Sequence, residues 1–246
     1  MKVAAYQAPL LPLGSTELAL SLIRERVEWA ESEGVEVLCC PEAVLGGLAD
    51  YATQPSALAI DAGGGELDAL LAPLASDRVT TIVGFTEKDQ LGRLYNAAVV
   101  FHKGSVLDVY RKLYPAINKS VYEAGDKIPV FTVGDLTFGI LICLDSTYSE
   151  TARIMAAQGA AALFVPTNNG MPASKGGAEL VSEARNGDIA RAIESSVFVV
   201  RADVAGRAGD LVSYGSSGIV DKTGIVLASA RELEVDLVMA DIKTTP

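Results

Sequence analysis

The sequence has one histidine, His102. A nucleophile–histidine relay therefore has one candidate base. It sits in a His-Lys-Gly turn between two predicted strands, a position that favours the surface. With no cysteine cluster beside it, a zinc site has little ligand supply. There are three cysteines, Cys39, Cys40 and Cys143, and the first two are adjacent. An odd number and no spaced pairs argue against a disulfide scaffold and for a reducing compartment. Gly63-Gly64-Gly65 lacks both the Walker lysine and the dinucleotide spacing, so it reads as a loop. Positive charge is also scarce: 20 Lys and Arg stand against 31 Asp and Glu, for a net charge of -11. Such a surface repels nucleic acid and anionic membrane, so neither is an expected partner. No apolar run reaches transmembrane length, and MKVAAYQAPL opens without a signal-peptide core. A cytoplasmic protein is expected.

What is present is a chain of 246 residues, half of them apolar. That suffices for one substantial core, and no composition break divides it, so 1–246 reads as a single domain. Strands are predicted at Val3 to Tyr6, Val35 to Cys40, Thr80 to Phe85, Asn96 to Phe101, Val106 to Tyr110, Pro129 to Val133 and Leu136 to Ile142. Helical spacing runs from Ser15 or Thr16 to Gly34 and again around Leu67 to Leu74. The second half repeats the rhythm. LDSTYSETARIMAAQGA reads as a helix, Ala162 to Pro166 as a strand, and a long helix ends near Ser195. Ser196 to Asp203 is a further strand, and Lys222-Thr223-Gly224 turns a last hairpin. Nearly continuous apolar strands imply cover on both faces. Two sheets with helices outside both fit this order; a three-layer α/β fold is the alternative.

Three reactive residues share one setting. Glu42 follows VEVLCCP, Lys112 follows VLDVYR and Cys143 follows FGILI. Each sits at the carboxyl end of a predicted strand, and strand ends of like direction open onto one crevice. A cysteine attacking an amide or nitrile needs a base. Glu42 in an apolar surround is a candidate, and Lys112 is placed to stabilise a developing oxyanion. The Leu144 N–H is a second oxyanion donor, and a helix N-terminus beside Cys143 favours a thiolate.

The sequence resembles the nitrilase, or carbon–nitrogen hydrolase, superfamily. The likeness runs through VAAYQ, the PE of Glu42, NAAVVFHKGSVLDVYRKLYP, FGILICLDSTYSETARIMAAQGA, VPTNN, IARAIESSVFVVRADVAG and SYGSSGIVDKTGIVLAS, in that order. It implies a four-layer α-β-β-α sandwich, a Glu42-Lys112-Cys143 catalytic set and a homodimer or higher homo-oligomer. It also implies hydrolysis of a small amide, an ω-amide or carbamoyl compound, through a thioester, with no metal or organic cofactor. Nitrile hydrolysis, acyl transfer and a non-catalytic binding role are the alternatives. One departure concerns the second glutamate that many members carry after the lysine. Here LYPAINKSVYEAGD puts Asn118 in that place. Either Asn118 serves as a neutral orienting group, or the loop is shifted and Glu123 serves. By the same resemblance Tyr51, Tyr114, Asp145, Tyr148, Asn168 and Asn169 line the pocket; alternatively Tyr148 packs on the following helix, Asp145 and Glu150 hold the turn after Cys143, and Asn168-Asn169 stabilise a turn.

Overall fold

The layers follow from alternation along the strands. In this computed structural model, which describes residues 1–115, 119–175 and 177–243, the first half supplies β1 (Lys2–Pro9), β2 (Val37–Cys39), β3 (Ile60–Asp61), β4 (Thr80–Lys88), β5 (Leu94–His102) and β6 (Ser105–Arg111). The second half supplies β7 (Val130–Val133), β8 (Leu136–Ile140), β9 (Ala162–Pro166), β10 (Met171–Pro172) and β11 (Phe198–Ala202). After these come β12 (Val204–Ala208), β13 (Leu211–Ser213), β14 (Gly218–Val220), β15 (Val226–Ser229) and β16 (Asp236–Asp241). The α-helices are α1 (Thr16–Ser32), α2 (Glu66–Leu71), α3 (Ser149–Ala157) and α4 (Glu179–Ser195).

One sheet has the order β10-β13-β12-β1-β2-β4-β5-β6, with β16 added on β1 and β3 on β4. The other has the order β15-β14-β11-β9-β8-β7. Successive side chains of a strand point to opposite faces. Val3 and Ala5 of β1, Val37 and Cys39 of β2, and Val100 of β5 therefore meet Phe138, Ile140, Phe164 and Val200 between the sheets. Their neighbours Ala4, Tyr6, Leu38, Phe85 and Phe101 face the other way. They bury Ile23 and Val27 of α1 and Leu67 and Leu71 of α2. Ala152 and Met155 of α3 and Ala192 of α4 pack on the second sheet. The result is the four-layer α-β-β-α sandwich.

The sequence reading differs from the structure at the short strands β3 and β10, which it lacks, and in three further places. Residues 143–158 are not one helix. A 3-10 turn, Cys143–Thr147, is followed by an extended Tyr148 (ψ 111) before α3 begins. The break costs Cys143 any full helix N-terminus, because a single 3-10 turn aligns few peptide dipoles. β8 stops at Ile140, two residues before its apolar run does. The pair β12 and β13 was not visible at all, because VAGRAGD is small and polar rather than alternating.

β2 runs parallel to β1 and β4, and β6 returns to the direction of β4 through the antiparallel β5. The carboxyl ends of β2 and β6 thus share one edge. The Glu42 N–H donates to the carbonyl of Thr167, just past β9, at 3.3 Å, which brings the second sheet to the same edge. Close approach there depends on Gly84 of β4. A Cβ at this position would collide with the Pro41 carbonyl and lie 2.8 Å from the Glu42 Cα. Gly84→Ala is expected to destabilise the chain by about 2–3 kcal/mol, an overpacking penalty that lowers Tm by roughly 4–12 °C. Thermal denaturation followed by circular dichroism checks it; an unchanged Tm would mean that the strand end has room to spare.

Candidate active site

Glu42 lies three residues past β2 and is 2% exposed. Its surround is not apolar, as the sequence suggested, but a set of donors. Oε1 accepts the Lys112 Nζ at 2.6 Å and the Asn96 Nδ2 at 2.7 Å. Oε2 accepts the Asn168 N–H at 3.0 Å. These bonds aim the carboxylate and leave it lone pairs to spare.

Lys112 is 3% exposed. Its backbone is fixed on both sides: its N–H donates to the Asn96 carbonyl and its carbonyl accepts the Gly125 N–H, each at 2.8 Å. Burial alone would lower its pKa, but the negative charges of Glu42, of Cys143 when ionised, and of Asp145 outweigh burial and raise it. Lys112 is therefore a fixed cation.

Cys143 follows β8 with a left-handed backbone, φ +48°. For a residue other than glycine that conformation costs about 1–3 kcal/mol and persists only where its surroundings impose it. The expected thiolate is not the resting form. Burial, then the neighbouring Glu42 charge, push the thiol pKa up to about 12, against opposing pulls from Lys112 and Arg201. The thiol is therefore neutral near pH 7, and ionising it calls for a base. Its Sγ points to the Asn169 Oδ1 at 4.0 Å, a weak contact. Cys143 and Leu144 open onto a cavity of about 400 Å³ that Leu180, Ala184, Arg191 and Arg201 also line. Glu42 and Lys112 are buried and not on its wall.

Asp145 does not present itself to a ligand. It is fully buried. Oδ2 accepts the Tyr110 hydroxyl at 2.8 Å and the Ile142 N–H at 3.1 Å, and Oδ1 accepts the Tyr114 N–H at 2.9 Å. One carboxylate thereby ties the chain on either side of Lys112 to the turn that carries Cys143. This is the turn-holding role rather than the pocket-lining one.

The other residues fall into two groups. Asn168 is caught in its own turn, where its Oδ1 accepts the Gly170 N–H at 3.1 Å, and it serves Glu42 through its backbone. Asn169 is held by Asp203, through its N–H at 3.0 Å and its Nδ2 at 2.9 Å. The Tyr114 and Tyr148 rings stack, with centroids 4.0 Å apart. Tyr51 is partly exposed and lies near enough to Glu42 and Asp50 for their charges to add to burial in raising its pKa. Glu123 is exposed, its N–H bonds the Leu94 carbonyl, and its charge acts on Arg93. Among the described residues it makes no hydrogen bond or ion pair with Glu42, Lys112 or Cys143. Asn118 lies outside the described residues. Among the described residues no group of three His, Cys, Asp or Glu is placed to hold a metal ion, and no helix is long and apolar enough to cross a membrane.

Sequence reasoning passed over Asn96, Asp188, Arg201 and Asp203. A signal was there. Asn96 interrupts the apolar run after Tyr95, and Arg201 and Asp203 interrupt FVVRADVA. Polar groups inside an apolar strand must find buried partners.

A profile of the carbon–nitrogen hydrolase family matches residues 2–245. A hydrolase encoded in the pqqF 5' region of Pseudomonas protegens is 31% identical over 235 residues, covering 94% of this chain and 79% of the relative. An (R)-stereoselective amidase from a Pseudomonas species is 32% identical over 203 residues, 81% of this chain and 70% of its own. The crystal structure of an amidase from Nesterenkonia sp. superposes with a TM-score of 0.82 at 25% identity, over 99% of this chain and 90% of the other. The sandwich, the convergence at its edge and the match along nearly the whole chain make this protein a member of the carbon–nitrogen hydrolase family, on the small amidase-like side of the nitrilase superfamily.

Proposed function

We propose that the protein hydrolyses a small linear amide, an ω-amide or carbamoyl compound, at Cys143. The observation that carries this reading is the buried Glu42–Lys112 pair, 2.6 Å apart, whose charges both act on the Cys143 thiol. Glu42 takes the thiol proton as Sγ attacks the carbonyl carbon. The electron pair displaced onto oxygen is met by Lys112, which keeps two ammonium hydrogens beyond the one on Glu42, and by the Leu144 N–H. Collapse of the adduct breaks the C–N bond, and Glu42 returns its proton to the leaving ammonia or amine. Water then gives a proton to Glu42 and attacks the thioester; the C–S bond breaks, the acid leaves and Cys143 recovers its proton. A thiol rather than a resting thiolate suits this order, because the same proton serves the leaving group.

A cavity of about 400 Å³ suits a small ligand. In a glutamate-to-glutamine mutant of the Nesterenkonia amidase, acrylamide has undergone Michael addition at the active-site cysteine, which supports a nucleophilic cysteine in this family. A homodimer goes with this reading, and exposed Ile193 of α4 and Leu227 of β15 offer it apolar surface. The test is release of ammonia and the matching acid from a panel of small amides, carbamoyl amines and nitriles. Turnover of amides or carbamoyl amines is expected. Turnover of nitriles alone would overturn the amide reading, and silence across the panel would overturn hydrolysis.

Asp145 adds a pH prediction. Burial pushes its pKa up to about 6 from the ordinary 3.8, although Lys112 and its hydrogen bonds pull it down. A folded pKa above the unfolded one means that the folded chain takes this proton more readily. The penalty for keeping Asp145 ionised is present above pH 6, shrinks as pH falls through 6 and is gone below 3.8. Protonation also removes an acceptor from the turn. Activity is expected to fall on the acid side near pH 6 with no loss of stability from this residue. Rate–pH profiles of the wild type and Asp145→Asn check it; the variant should be slower and should lack that limb.

A further inference from the structure

Arg201 is a charged residue one position before the end of β11, and it is 3% exposed. Its partner is Asp188 of α4, fully buried, which accepts Nε at 2.9 Å and Nη2 at 2.6 Å. A pair of this kind could simply join helix to sheet. The remaining hydrogen bonds say more. Nη2 also donates to the Ser146 Oγ at 3.0 Å, and that hydroxyl donates to the Cys143 carbonyl at 2.8 Å. Nη1 donates to the Thr167 Oγ1 at 2.7 Å, and the Thr167 carbonyl accepts the Glu42 N–H. One guanidinium thus reaches both the turn of the nucleophile and the chain that holds its base. It also lines the cavity onto which Cys143 opens.

We propose that Arg201, aimed by Asp188, is a positioning residue for the nucleophile: through Ser146 and Thr167 it fastens the left-handed Cys143 turn to the strand end that carries Glu42. The proposal deepens the hydrolase reading and rests on it for the role of Cys143. A planar fork suits the task, since five N–H groups in fixed directions serve a carboxylate and two hydroxyls at once. Its charge acts on the thiol as well. The charged groups around Cys143 are Glu42, Lys112, Arg201 and Asp203, and Arg201 is one of the two that favour the thiolate. Around Arg201 itself stand Asp188, Asp203 and, with like charge, Arg185.

The experiment compares the wild type with the double variant Asp188→Leu/Arg201→Met and with Arg201→Lys. Replacing both partners leaves no lone buried charge, so the double variant should keep a Tm close to that of the wild type. The substrate-free readout is the rate of Cys143 alkylation by iodoacetamide across pH, mapped by mass spectrometry. In the double variant this rate should fall about tenfold near pH 8, with its profile moved up by about one unit. Arg201→Lys keeps the charge and loses the fork, so its rate should fall while the profile stays near that of the wild type. A folded double variant with the wild-type rate and profile would reduce the pair to a brace between α4 and the sheet. Should the double variant not fold, a wild-type alkylation rate in Arg201→Lys would overturn the proposal in the same way. Failure of the wild type to split any amide counts against the hydrolase reading alone, because alkylation needs no substrate.

Discussion

Cys143→Ala is expected to lose amide hydrolysis by about four orders of magnitude or more while keeping its fold. The expected loss is this large because in the proposed mechanism the thiol supplies the covalent bond to the acyl group, and Ala offers no atom to replace it. The fold should survive because little depends on the sulfur. Its one described polar contact is the weak 4.0 Å approach to the Asn169 Oδ1. The left-handed φ of +48° is as unfavourable for Ala as for Cys, so the substitution neither adds nor relieves backbone strain. Initial rates of ammonia release beside a thermal melt test both halves. Retained turnover would place the nucleophile elsewhere, and the remaining thiols, Cys39 and Cys40, are fully buried in the sheet, where burial raises both their pKa values.

Glu42→Gln should reduce both activity and stability. An amide accepts no proton at neutral pH, so kcat should fall by about 10²–10⁴-fold, the range for a lost general base. Stability falls for a separate reason. Lys112 would remain buried with its cation unpaired, and breaking a buried pair from one side costs about 3–5 kcal/mol. In a chain of this size that is roughly 6–20 °C of Tm. The amide NH2 would also have to face either the Asn168 N–H or the donors Asn96 and Lys112. Steady-state kinetics with calorimetry separate the two effects. Near-normal kcat with a large fall in Tm would show that Glu42 holds Lys112 and does no proton transfer.

The two experiments give opposite patterns. Removing the nucleophile should silence a stable protein; removing the base should slow and destabilise it. The difference follows from burial, because Glu42 and Lys112 form an ion pair inside the sandwich, whereas Cys143 opens onto a cavity.

The sequence by itself pointed to most of the strands and to two sheets with helices outside both, a three-layer fold being the alternative, and it singled out Glu42, Lys112 and Cys143 as candidates. β9 and the end of α4 fall where their apolar patterns place them. Glu42, Lys112 and Cys143 stand out because each follows an apolar strand, and a strand end is a local property. Tertiary structure decided the rest. The sequence made a helix of the residues after Cys143, but the chain there is a strained 3-10 turn fixed by Asp145 and Ser146 through Tyr110, Tyr114 and Arg201, which lie far along the chain. The thiol is neutral at rest because burial outweighs Lys112 and Arg201, a balance of charges from separate strands. Asp145, which the sequence left as either a pocket residue or a holder of the turn, takes the second role. Arg201 went unread because its meaning lies in Asp188, Ser146 and Thr167, which are distant in sequence. Periodicity and strand ends are written in neighbouring residues; the desolvation and pairing of a buried charge depend on what the fold brings beside it.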